Sequence, residues 1–175
     1  MSRDRSRGRE DERGERGELW PFSRDEHGRL CYRGEPLPAG PWHAEPDRLE
    51  LEHGGIACLL LRGPMGAWCG YVGLPVDHPW AHLDLIASPH PAEPWPDDAP
   101  EITYQRARPP TGMPSARTDG YEQWIGFSCA SPGGSTLEIR ALLGGDVPPG
   151  DYRDLAHAER EIRCLAGLVL AALPN

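Results

Sequence analysis

The densest group of chemically competent side chains lies between positions 69 and 90: Asp77, His78, His82, Asp84 and His90, with Cys69 just upstream. His78 and His82 are four residues apart, which on a helix sets both rings on one side, a geometry that zinc sites use. Pro79 follows His78, and Pro75, Pro89 and Pro91 flank the stretch, so a helix there is at most a turn. The plainer reading is a loop with scattered histidines, and no metal or cofactor is expected.

Cys129 is the second candidate. It ends an apolar run and enters Ala130-Ser131-Pro132-Gly133-Gly134, and nucleophiles often sit at such strand-to-loop corners. Activation would need a histidine close by in space to lower the thiol pKa, and none is near in sequence. A buried structural thiol is the favoured reading. The glycine-rich pieces Ser131 to Thr136 and Gly144-Gly145-Asp146 lack a Lys beside a hydroxyl, so neither is a phosphate loop. The candidate catalytic set is therefore Cys69, His78, His82 and Cys129. Trp80 and Trp95, in a proline-rich stretch, are candidates for an exposed contact surface.

The elements that must position these residues follow from patterning. Arg48 to Glu52 alternates polar and apolar with period two, His53-Gly54-Gly55 is a hairpin turn, and Ile56 to Arg62 is apolar on both faces. With Ala67 to Leu74 returning after Gly63-Pro64-Met65-Gly66, these predict a three-strand meander. Upstream, Arg29 to Arg33 reads as a strand and Gly34 to Pro46 as loop. Glu122 to Cys129 is a strand with Ile125, Phe127 and Cys129 on one face and Trp124, Gly126 and Ser128 on the other. Thr136 to Leu143 fits either strand or short helix. From Asp154 to Leu173, apolar residues recur at Leu155, Ala158, Ile162, Leu165, Ala166, Val169 and Leu173, the spacing of a helix. Asp151 or Asp154 can cap it, Pro174 ends it, and Gly167 inside it suggests close packing.

Residues 75–114 hold ten of the twenty prolines. So long a connection is unusual in a compact domain and often functional, and the rings can keep it ordered. Only Glu101 to Gln105 within it reads as a strand. Gly70, Gly73 and Gly126 lie in strands, where glycine marks a bulge or a close approach to the backbone.

All 18 basic residues are Arg, and the net charge is −9. Residues 1–18 carry six Arg and six acidic side chains with a single apolar residue, Met1, so a disordered tail is expected before a single domain over 19–175. The acidic balance of that domain repels phosphate backbones and argues against nucleic acid. No apolar run approaches the roughly 18–20 residues needed to cross a bilayer, so no membrane partner is expected. A charged start carries no secretory signal, and an odd number of cysteines, five, without CxxC spacing suits free thiols in a reducing compartment, hence the cytoplasm.

One set of motifs has a family look. Cys69-Gly70-Tyr71-Val72-Gly73-Leu74-Pro75 is followed by His78-Pro79, then Ile102-Thr103-Tyr104, then Trp124-Ile125-Gly126-Phe127-Ser128-Cys129-Ala130, and Tyr152-Arg153-Asp154-Leu155 opens the last helix. In this order, across residues 55–173, the chain resembles an uncharacterised family of small phage and bacterial proteins. That family carries a His-Gly-Gly triplet before its Ile-Thr or Leu-Thr pair, and its second cysteine is followed by Ala-His and shortly by Gly-Asp. Here Ala99-Pro100-Glu101 stands in place of the triplet and Ser131 in place of the second histidine. The resemblance implies the fold boundaries, and it implies that any histidine-dependent activity of the family is lost or altered in this chain.

These readings converge on an α+β fold, a mostly antiparallel sheet with one long C-terminal helix packed on it. The expected function is a binding or accessory module of prophage or mobile-element origin, with an unidentified protein or small-molecule partner. The alternative is a small enzyme using the Cys/His set under the proline-rich loop.

Overall fold

The computed structural model describes residues 21–110, 119–130, 136–143 and 152–174. The expected tail over 1–18, Ser131 and the second glycine-rich turn lie outside the described residues. Among the described residues eight strands form two antiparallel sheets: β1 (Phe22–Arg24), β2 (Leu30–Tyr32) and β3 (Glu35–Pro36) in one, and β4 (Arg48–His53), β5 (Ile56–Arg62), β6 (Trp68–Pro75), β7 (Tyr104–Arg106) and β8 (Tyr121–Ser128) in the other. Helix α1 spans Leu137–Leu143 and α2 spans Leu155–Ala171. The class is α+β.

The larger sheet has the order β4-β5-β6-β8-β7. Its first three strands are the expected meander, and their first turn is set by chemistry. Gly54 and Gly55 have φ of +57° and +85°, the paired left-handed conformation that a two-residue hairpin turn requires. β5 lies between β4 and β6 and is buried on both faces, which is why it lacks alternation. The strand expected at Glu101 to Gln105 is displaced toward its C-terminal end, to Tyr104–Arg106, although the Thr103 amide already donates to the Gly126 carbonyl.

Helix α2 lies on β5 and β6, touching β4. Ala158, Ile162, Leu165, Ala166 and Val169 are buried against Cys58, Leu60, Val72, Leu74, Ile125 and Phe127, so the apolar stripe read from the sequence is the packed face. Its start is capped by Asp154, whose carboxylate accepts the His157 amide at 2.8 Å. Beside the helix, the proline-rich segment covers the rest of the same sheet face through Trp80, Leu85 and Ile102. Two glutamines pin it down: Gln105 accepts the Leu85 amide and donates to the Leu83 carbonyl, while Gln123 donates to the carbonyl of Ala81. The stretch is thus an ordered covering held by side chains from β7 and β8.

The small sheet is a unit that the patterning does not predict: Gly34 to Pro46, expected as loop, contains β3 and a 3₁₀ turn at Pro41–His43. β1 and β3 flank β2, and Phe22, Leu30, Tyr32, Leu37 and Trp42 form a second core with Leu137 of α1. The undecided segment at 136–143 is this helix: Leu137 is fully buried, and Thr136 Oγ1 accepts the Ile139 amide at its start.

Arg62 joins the two cores. Its side chain has no exposed surface, and it donates to Asp47 Oδ1 (3.0 Å), Glu45 Oε2 (3.1 Å), the Gly66 carbonyl (3.1 Å) and the Tyr152 hydroxyl (2.8 Å), with the guanidinium 4.7 Å from the Trp68 ring centroid. Glu45 in turn accepts from Tyr152 (2.6 Å) and Trp68 (3.3 Å), and its other oxygen accepts the Leu155 amide at 2.8 Å. Arg24 of β1 forks onto both oxygens of Asp47. Burial alone would raise the Asp47 pKa, but the bonds from Arg24 and Arg62 outweigh it and hold the carboxyl below its ordinary value. A planar, five-donor cation is the one side chain that can serve so many acceptors at once. The network fixes where α2 begins.

Candidate functional site

The four candidate catalytic side chains do not meet. His78 is fully buried, its Nε2 donating to the Val169 carbonyl at 2.9 Å and its Nδ1 accepting the Trp80 amide at 3.1 Å, so both ring nitrogens are spent on structure. Burial, only partly opposed by that carbonyl, lowers its pKa and favours neutral imidazole. His82, at the end of the short 3₁₀ turn Pro79–His82, is exposed. Cys69 of β6 and Cys129, the residue after β8, are neighbours across the sheet but point to opposite faces: Cys69 is 3.7 Å from Ser128 Oγ on the face away from α2, whereas Cys129 faces Glu161 of α2. Glu161 and Val169 are eight residues apart on α2, which separates Cys129 from His78 by roughly 12 Å along the axis. Of the other polar residues of that stretch, Asp84 accepts the amides of Ile86 and Ala87. Among the described residues no group of three His, Cys, Asp or Glu side chains is arranged to hold a metal ion.

The tryptophans also differ from expectation. Trp80 is 4% exposed and belongs to the core, so it is no contact residue, and Trp95 is half-buried, packed on Trp80 and stacked with His90. A large aromatic within a proline-rich loop serves here to anchor the loop to the sheet. The large apolar side chains that the described part of the loop leaves exposed are Val76, Leu83 and Ile86.

The residues that do converge are others. A cleft of about 430 Å³ separates the segment Asp97 to Glu101 from the outer face of α2 and is lined there by Arg153, His157, Arg160, Glu161 and Cys164. Pro100 and Ile102 are buried and root the loop wall, and the Glu45–Leu155 and Asp154–His157 bonds set the helical wall. Asp97, Asp98 and Glu101 are exposed on one side, Arg160 on the other. Among the described residues, no ion pair closes the cleft from wall to wall.

Glu161 organises the helical wall. Its Oε2 accepts from the Cys129 thiol at 3.3 Å, and its Oε1 lies 3.1 Å from His157 Nε2 and 3.9 Å from Arg153 Nη1. The His157 nitrogen is sealed from solvent and close to the carboxylate without hydrogen-bond alignment. On its other side Arg160 lies 3.5 Å from Nδ1. The thiols here are not activated. Burial and then the Glu161 carboxylate push Cys129 upward, and burial, Asp98 and Glu161 do the same to Cys164. Cys58, deeper in the core, is pushed up to about 12 by burial. A reactive thiol needs the reverse surroundings, cations or a helix N-terminus.

The apolar stripe of α2 is the feature its sequence displays most strongly, and the cleft residues lie on the polar face opposite. Positions 157, 160, 161 and 164 recur at the same helical spacing, and that was the available signal. Nothing in the sequence pairs them with 97–101, because that contact crosses more than fifty residues. Comparison of the chain with protein-family models, with curated proteins and with solved structures returns no match.

Proposed function

We propose that the chain is a non-catalytic binding module and that the cleft between residues 97–101 and α2 is its ligand site. The observation that carries this reading is the opposition of acidic and basic walls across a cavity of about 430 Å³ without an ion pair between them among the described residues. That volume lies in the usual range for small-molecule sites. Thiols held protonated and a buried His78 engaged at both nitrogens speak for binding over nucleophilic catalysis. The family resemblance bears on the same place: Ala99-Pro100-Glu101, where the family has His-Gly-Gly, forms part of the cleft wall, so the imidazole that the family carries at this point of its sequence is missing here. Origin in a prophage or mobile element goes with that resemblance, and a cytoplasmic setting goes with five cysteines outside any CxxC spacing. The described helices include none long and apolar enough to cross a membrane.

Titrating ¹⁵N-labelled full chain with small charged solutes tests the site. Saturable shifts centred on Asp98, Glu101, His157 and Arg160, unchanged in Cys129→Ser, are expected. Absence of saturable shifts at these positions, or a turnover abolished by Cys129→Ser, overturns the reading.

A further inference from the structure

We infer that the ligand of this cleft is a small zwitterion, an α-amino acid or dipeptide with free amino and carboxylate ends. The inference rests on the cleft being the ligand site and adds what it takes. Three carboxylates, those of Asp97, Asp98 and Glu101, form one wall, and Arg153, Arg160 and His157 stand on the other. The one carboxylate on the helical wall, Glu161, is engaged with Cys129 and in contact with His157 and Arg153, which leaves Arg160 as the cation of that wall with no carboxylate against it among the described residues. A purely anionic solute would meet the acidic wall, and a purely cationic one the arginines. Like-charge juxtaposition works against both. A solute carrying both charges satisfies both walls, its carboxylate on the arginines and its ammonium on the aspartates, as charge-assisted hydrogen bonds.

Size and lining narrow the class. About 430 Å³ accommodates a body of one or two residues. The uncharged lining is Ala99, Pro100 and the edge of Cys164, too little apolar surface to hold a bulky hydrophobic side chain. Small or polar side chains fit best.

Three probes of one skeleton separate the possibilities: glycylglycine, its N-acetyl form with only the negative end, and its C-terminal amide with only the positive end. Binding to the full-length protein is followed by calorimetry and by the backbone shifts of residues 97–101 and 153–164. Glycylglycine should bind at least roughly tenfold more tightly than either capped form, the loss expected for one charge-assisted contact. Arg160→Gln should weaken glycylglycine and the acetyl form while sparing the amide, and Asp98→Asn should weaken glycylglycine and the amide while sparing the acetyl form. Both side chains are exposed, so unchanged thermal midpoints verify that these variants fold. Capped forms that bind at the same residues as tightly as glycylglycine would overturn the zwitterion and leave the site standing. If none of the three shifts these residues, both the inference and the site fall.

Discussion

His78 and Val169 are ninety-one positions apart in sequence, and a 2.9 Å hydrogen bond from imidazole Nε2 to backbone carbonyl ties the proline-rich covering to the last turns of α2. With Nδ1 accepting the Trp80 amide, the ring is locked as the neutral tautomer protonated on Nε2. A proton on Nδ1 would strip the Trp80 amide of its acceptor at a fully buried position.

This makes His78 a source of acid sensitivity. Its folded pKa lies below the ordinary value, so between the two the unfolded chain binds the extra proton. The contribution of His78 is therefore complete above the unfolded pKa of about 6.5 and is lost as pH falls below it toward the folded value. Thermal midpoints recorded from about pH 8 to pH 5 should decline more steeply in the native chain than in His78→Gln. At the alkaline end the variant should be less stable, by about 1–3 kcal/mol, for the disturbed buried bonds. Two curves of equal slope would remove His78 as the cause.

Arg62 should be the least replaceable polar residue. Arg62→Met leaves Glu45 without its cation, while Asp47 keeps Arg24. Breaking a buried pair from one side costs about 3–5 kcal/mol, a large share of the roughly 5–15 kcal/mol that holds a domain together. Arg62→Lys should recover only part, since an ammonium cannot reach Asp47, Glu45, Gly66 and Tyr152 together. Urea unfolding measures all three forms. Native-like stability in Arg62→Met would mean that the two cores hold without the network.

Two glycines should respond in opposite directions. A Cβ at Gly126 would fall under 3.0 Å from the Gly70 carbonyl oxygen, on a neighbouring strand that cannot yield cheaply, so Gly126→Ala should destabilise by about 1–3 kcal/mol. At Gly167 a Cβ would meet only His53 Nε2, at an ordinary 3.8 Å. Close packing is therefore not what this glycine serves, contrary to the expectation from sequence, and Gly167→Ala should stabilise α2 by about 0.5–1 kcal/mol through helix propensity. Chemical denaturation of the pair decides it. A loss of stability in Gly167→Ala would show that the helix seats more tightly than its contacts indicate.

What the sequence determined by itself was local. Alternation at Arg48 to Glu52, the double glycine at 54 and 55, the apolar run at 56 to 62 and the 3.6-residue stripe of α2 each encode their element through burial and backbone preference over a few neighbouring residues. The faces of β8 were equally legible, with Ile125, Phe127 and Cys129 turned to the helix and Trp124 and Gly126 turned away. Tertiary structure decided the rest. Whether His78 is a ligand or a strut depends on Val169, and whether Cys129 is a nucleophile depends on Glu161, partners that no spacing rule connects to them. Trp80 looked exposed because its neighbours are prolines, yet two glutamines from distant strands draw that loop onto the sheet. The cleft belongs to the same class: its acidic wall precedes β7 and its basic wall opens α2, and only the packing of both on one sheet face brings unlike charges across a gap.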